Sequence, residues 1–168
     1  MKKFFALFLA LVMTLSCTVA LADTYGLGIV SSISSSKDAT AEKDGAGQVD
    51  STVCAVVVGE DGKILSCLFD MASTKVTFSA AGLITANKEA EIKTKNELGD
   101  AYNMKVASKI GMEWYQQAAA LGEYCVGKTL EEVITGVNGG EDLKTSVTMG
   151  TSDFIKALEK AYAQATAK

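Results

Sequence analysis

The stretch Thr94 to Leu121, TKNELGDAYNMKVASKIGMEWYQQAAAL, decides how the rest of the chain is read. It contains the only tryptophan, and its apolar residues Ala107, Ile110, Trp114, Ala118 and Leu121 recur at steps of three and four. That spacing keeps side chains on one face of a helix. It predicts one long amphipathic helix, opened at Asn96 or Asp100 and ended at Gly122. Such a helix needs an apolar surface to lie on, and the segments before it supply one.

Tyr25, Leu27, Ile29 and Ile33 alternate with Gly26, Gly28, Val30 and Ser32, a period of two that reads as a strand. Ser34 to Gly47 has no apolar recurrence and reads as a surface loop. Val49 to Val58 and Lys63 to Met71 form a hairpin around Gly59-Glu60-Asp61-Gly62. With Gly62 left-handed in a bulged turn, Gly59 faces Lys63. The core face is then Val49, Val53, Ala55, Val57, Leu65, Cys67, Phe69 and Met71, and no disulfide joins Cys54 to Cys67. A one-residue slip would set those two cysteines directly opposite each other.

Lys75 to Phe78 reads as a further short strand, and Leu83 to Lys95 as a partly strand-like approach to the helix. After it, Thr129-Leu130-Glu131-Glu132 has capping-box spacing and opens a helix closed by Gly136. A last helix covers Ser152 to Thr166 with Phe154, Ile155, Leu158 and Tyr162 as its stripe. The expected fold is α+β, an antiparallel sheet of about four to five strands packed against a long central helix and a C-terminal helix.

Lys2 and Lys3, the apolar run from Phe4 to Leu15, and Ala20-Leu21-Ala22 read as a signal peptide over 1–22, cleaved after Ala22. One α+β domain over 23–168 is expected to follow. Cys17 in Leu15-Ser16-Cys17 is the competing position, a lipidation site, but Thr14 stands where a leucine-like residue is wanted. The run falls short of the roughly 20 residues of a membrane span. The expected location is therefore secreted or cell-surface.

The formal charge of -4 becomes -6 once Lys2 and Lys3 leave with the leader, and no basic stripe remains. Nucleic acid is therefore not an expected partner. The absence of histidine removes Ser-His-Asp and Cys-His arrangements and the usual His-containing zinc sites. Glu89, Glu91, Glu97 and Asp100 read as a solvated face. Cys125 has Lys128 nearby but no imidazole to activate it. No catalytic constellation is recognisable, and an enzyme reading would need a buried carboxyl or thiolate in a cleft.

Two groups remain as binding candidates. Tyr102, Met104, Trp114 and Tyr115 could edge a groove for a flat aromatic ligand, with core packing as the alternative for Trp114. Thr145 to Ser152, TSVTMGTS, places hydroxyls and amides ahead of the last helix, either an anion site or simply its cap.

TYGLG, GQVDSTV, TKNELGDAYNMKVASKIGMEWYQQ, VGKTLEEV and SVTM before a terminal helix resemble a group of exported, often lipid-anchored proteins of anaerobic Gram-positive bacteria that has no assigned function. More weakly, the chain resembles the FMN-binding domain of membrane-linked redox complexes. Asp61-Gly62-Lys63-Ile64 matches that family's hairpin turn, and Ser146 and Thr151 match the ends of its Ser-Gly-Ala-Thr-x-Thr motif. Val147, Thr148 and Met149 stand where the motif has glycine, alanine and threonine. The resemblance implies an exported module for a small, flat, anionic ligand, FMN being the cofactor implied. Thr148, Thr151 and Ser152 would meet the anion, and Tyr102, Met104 or Trp114 the ring. The alternative is a cell-surface structural or interaction protein without a cofactor.

Overall fold

The computed structural model describes residues 23–140, 143 and 145–167, so the leader and Cys17 lie outside it. Three strands, β1 (Thr24–Ser32), β2 (Gly45–Val58) and β3 (Ile64–Phe78), pair antiparallel in the order β1-β2-β3. They are followed by a one-turn helix α1 (Lys95–Leu98), two 3-10 turns (Gly99–Tyr102 and Met104–Val106), and helices α2 (Trp114–Cys125), α3 (Leu130–Gly139) and α4 (Ser152–Thr166). Helix α4 packs on β1 and β2, and α2 packs on β3. The α+β class stands as expected.

The sheet has three strands among the described residues rather than four or five. Lys75 to Phe78 is the far end of one 15-residue β3, not a separate strand. Leu83 to Lys95 contributes only an isolated bridge, Phe78 to Ile84. The long central helix is also corrected. Gly99, Asn103 and Gly111 have φ of 51°, 58° and 65°. These left-handed conformations end helical progress, and glycine and asparagine adopt them at least cost. The apolar stripe therefore survives only in its second half: Trp114, Ala118 and Leu121 are buried, whereas Ala107 is exposed. Gly122 does not end α2 but lets it approach, since a Cβ there would meet the Cys67 carbonyl oxygen at 2.5 Å.

The hairpin turn is as read: Gly62 has φ 75°, and the Gly59 N–H donates to the Lys63 carbonyl at 2.9 Å. A second irregularity follows, because Val58 pairs with Ile64 while Val57 pairs with Ser66. Leu65 is the extra residue, and it inverts the alternation of β3. The buried face of β2 is consequently Thr52, Cys54, Val56 and Val58, opposite to the expected one, while Phe69 stays inside. Gly26 and Gly28 of β1 explain the choice. They pair with Val56 and Cys54, and a Cβ on either would collide with the Ala161 or Ala157 carbonyl oxygen of α4. Only the glycine face of the sheet lets that helix come close enough.

Trp114 joins the layers. Its ring centroid lies 5.8 Å from Phe154 of α4, which meets Phe69 of β3 edge-on at 5.4 Å. Truncating a buried aromatic of this kind costs roughly 3–5 kcal/mol. Helix α3 opens with the capping box at Thr129, as read, but runs past Gly136 to Gly139 and is capped by left-handed Gly140. Helix α4 has the expected bounds.

Candidate functional site

The left-handed residues that break the central helix also build a wall. Between Asn103 and Gly111 the chain makes a 3-10 turn, in which the Ala107 and Ser108 N–H groups both donate to the Met104 carbonyl at 2.9 Å. Facing this wall is the turn before α4, drawn back by the Val147 N–H donating to the Leu143 carbonyl at 2.7 Å. Between them lies a cavity of about 460 Å³ lined by Met104, Ala107, Ser108 and Lys109 on one side and Val147, Thr148 and Met149 on the other. That volume lies within the range of small-ligand sites, ~300–1,000 Å³.

Two buried polar side chains, Gln117 of α2 and Glu113 at its N-cap, support the walls, and Gln117 joins them. Gln117, fully buried, accepts at Oε1 from the Thr148 N–H at 2.8 Å, the Thr148 hydroxyl at 3.3 Å and the Met149 N–H at 3.3 Å. Its Nε2 donates to Ser108 Oγ at 3.2 Å and the Met112 carbonyl at 3.3 Å. Glu113, 1% exposed, accepts the Met104 N–H at Oε2 at 2.7 Å. Its Oε1 is buried and meets no hydrogen-bond donor among the described residues. A buried carboxyl thus stands behind the Met104 wall, but it does not line the cavity, whereas an enzyme reading asks for one in a cleft.

Of the residues singled out in the sequence, Met104 and Thr148 are brought to the same cavity. Thr151 and Ser152 sit farther on, at the start of α4: Thr151 is half-buried, its carbonyl accepting the Ile155 N–H at 3.0 Å, and Ser152 is exposed. Trp114 is core. Tyr102 is half-buried, with Lys95 Nζ 4.8 Å from its ring centroid and 5.3 Å from that of Trp114. Tyr115 turns away and donates to Asp100 Oδ1 at 3.3 Å. The Asp100 charge raises the phenol's pKa.

Sequence reasoning missed Glu113, Gln117, Ser108 and Lys109. Glu113, the N-cap of α2, and Gln117 within it are four apart, but both residue types read as surface in a sequence, so nothing in the sequence marked their burial. An anion held by the backbone amides of the 147–149 turn would need their N–H groups free. Here two of them already donate to Gln117. Lys109 is the cation the cavity offers instead, and Met104, Val147 and Met149 offer apolar surface for a ring.

A thiol cluster lies elsewhere, beneath α2. Cys54 Sγ and Cys67 Sγ are 3.8 Å apart, and the fully buried Cys125 donates to the Leu121 carbonyl at 3.2 Å; all three are free. Cys54 pairs with Phe69 and Cys67 with Val56, so the two thiols are diagonal neighbours. Cys125 is raised by its contact with the Cys67 thiol and by burial. Cys67 gains a lowering hydrogen bond from Cys125, but Cys54 and burial outweigh it and its pKa is also raised.

Among the described residues, no helix is long and apolar enough to cross a membrane. No family model matches the chain, and no solved structure matches it. Over 112 residues it is 31% identical to the chlorophenol reductase of Desulfitobacterium hafniense, an alignment covering 58% of this chain and 33% of that protein. The chain therefore spans about a third of the length of the curated relative it matches.

Proposed function

We propose that this chain is an exported small-ligand-binding module that takes a flat, anionic aromatic molecule of the FMN class, in redox chemistry outside the membrane. One observation carries the reading: Met104 and Thr148, assigned from sequence to ring and anion, line opposite walls of one cavity of about 460 Å³ with Lys109 beside them. The relative's name, a reductase, agrees with a redox setting.

In this reading Met104, Met149 and Val147 hold the ring, while Lys109 and Ser108 face the anionic group and Thr148, whose hydroxyl already donates to Gln117, shapes the wall beside them. Gln117 keeps the two walls at a fixed separation, so little ordering is left to the binding step. Glu113 places a carboxyl behind the ring-binding wall. A bound flavin would supply the electron transfer, and the protein would supply position and electrostatics. Export rests on the residues of 1–22, with cleavage after Ala22 expected and lipidation at Cys17 as its competitor.

The test is ligand-dependent stability. At a ligand excess of about 100 times Kd, binding to the folded state adds about 2.7 kcal/mol. For a chain of this size that raises Tm by roughly 5–10 °C. FMN should produce this shift, riboflavin a smaller one because it lacks the phosphate, and Lys109→Glu should reduce the difference between them. No shift with FMN, together with no flavin absorbance in protein purified from a flavin-producing secretion host, would remove the proposal.

A further inference from the structure

Among the described residues the sheet carries helices on one face only, and the first rows of the other face are mostly apolar. Its first rows read Tyr25, Val57, Ser66, then Leu27, Ala55, Leu68, then Ile29, Val53, Asp70. Tyr25, Leu27, Ile29 and Leu68 are 73%, 53%, 48% and 62% exposed. At roughly 200 Å² for a fully exposed large side chain, these four alone present on the order of 500 Å² of mostly apolar surface. Half-buried Val53, Ala55 and Val57 add to it, bringing the patch close to the lower end of the ~600–1,000 Å² per partner found in specific dimers.

The relief of this face is self-complementary. Tyr25 and Leu27 on β1 and Leu68 on β3 stand around Ala55 and Val57 of β2 and Ser66 of β3, leaving a hollow of about 420 Å³ between them. The knobs that fit an aliphatic hollow are therefore on the same face as the hollow, as a two-fold contact requires. Asp70, the one charge in these rows, is tied down, its Oδ1 accepting the Asn96 N–H at 3.2 Å.

Growth through the sheet edges is obstructed instead. On β1 the Leu27 N–H donates to Gln164 Oε1 at 2.6 Å, and Lys160 Nζ donates to the Ile29 carbonyl at 2.8 Å. On β3 the Ile64 carbonyl accepts from Gly127 N–H at 2.8 Å, the Phe69 carbonyl from Asn96 Nδ2 at 2.9 Å, and the Thr77 carbonyl from Thr85 N–H at 2.9 Å. Side chains and loops so placed keep other strands from adding. What stays open is face-to-face packing at the ~10 Å spacing of stacked sheets.

We infer that a second copy of this chain covers this face, the two sheets meeting across a two-fold axis with Leu68 and Leu27 of each entering the hollow of the other. Like net charges oppose the approach only weakly, because salt screens them beyond about 10 Å and the first two rows carry none.

The experiment is sedimentation equilibrium of the full protein from a secretion host, at concentrations up to roughly 100 µM, well above a micromolar Kd. A dimer is expected. Leu68→Lys and, separately, Tyr25→Lys should raise the dimer Kd by at least tenfold while far-UV circular dichroism stays unchanged, and Leu83→Lys, exposed elsewhere, should not alter it. A wild-type monomer throughout the range would overturn the inference without the help of any variant. So would a dimer indifferent to both face substitutions, or a monomer that uses this face to bind lipid vesicles.

Discussion

Gln117 and Thr148, 31 residues apart in the chain, are joined twice: the Gln117 Oε1 accepts both the N–H and the hydroxyl of Thr148. The same oxygen takes the Met149 N–H, so one buried amide fixes the cavity wall that precedes α4. Gln117→Leu keeps the volume but leaves those backbone donors without an acceptor. Thr148 is exposed and Met149 half-buried, so water can take over in part, and each lost bond costs about 0.5–1.5 kcal/mol rather than the larger penalty of a buried, unsatisfied donor. The variant should lose about 2–3 kcal/mol in urea unfolding and weaken any FMN-dependent rise in Tm. Thr148→Val, which keeps the N–H bond, should cost less than half as much. Equal losses would mean that the turn is not held this way.

Gly28 and Gly26 should be irreplaceable for a reason unrelated to flexibility. A Cβ on Gly28 would run into the Ala157 carbonyl of α4, a backbone atom that cannot rotate aside. Gly28→Ala forces the helix off the sheet, and overpacking of this sort costs typically 1–3 kcal/mol. Gly47, with nothing within 4 Å of its hypothetical Cβ, is the control. Gly47→Ala should be neutral or slightly stabilising, as loss of unfolded-state freedom favours the fold. Paired thermal melts decide, and a Gly28→Ala protein as stable as Gly47→Ala would contradict the packing of α4.

These glycines also show where the sequence was readable and where it was not. Turn chemistry was local and therefore legible: Gly62 in its left-handed position, the Thr129 capping box and the bounds of α4 needed no knowledge of the rest of the fold. The face of β2 was not. Valines occupy both faces, so alternation could not choose, and the choice came from Gly26 and Gly28 across the strand. In the central stretch, apolar spacing outvoted Gly99, Asn103 and Gly111, although three residues suited to positive φ within thirteen positions argue against one helix. Of the residues that the sequence suggests for a ring and an anion, Met104 and Thr148 lie in one cavity. Gln117 was not legible, because a glutamine on a helix reads as surface unless its burial is known.

Glu132 gives α3 a pH dependence of known sign. Its Oε2 accepts from the Thr129 N–H at 2.8 Å and from the Thr129 hydroxyl at 3.1 Å. These bonds hold the carboxyl below the ordinary glutamate value of 4.5, despite a small opposing effect of desolvation. A carboxyl whose folded value is depressed stabilises above its unfolded value, and that stability is lost as pH falls through the lower folded value. The stability difference between wild type and Glu132→Gln should be constant near neutrality and shrink below pH 4.5. A difference that persists undiminished in strong acid would show that it does not come from the ionised carboxylate.

The thiols should respond in the opposite pH direction. Cys67 and Cys125 hold their protons more tightly when folded than the ordinary thiol value of 9.0, the first through its Cys54 neighbour and burial, despite the lowering Cys125 bond, and the second through Cys67 and burial. Past about pH 9 the unfolded chain releases protons that the folded chain keeps, so stability should fall as pH rises. Labelling follows from the same burial. Cys67 is half-buried and borders a groove of about 310 Å³ beside Gly122, whereas Cys54 and Cys125 are fully buried. A maleimide should therefore modify Cys67 slowly in the native protein and reach the other two only on unfolding, with rates that climb steeply with pH because the thiolate is the attacking form. Peptide mapping after timed labelling reads the order, and simultaneous modification of all three under native conditions would mean that α2 does not stay seated on β3.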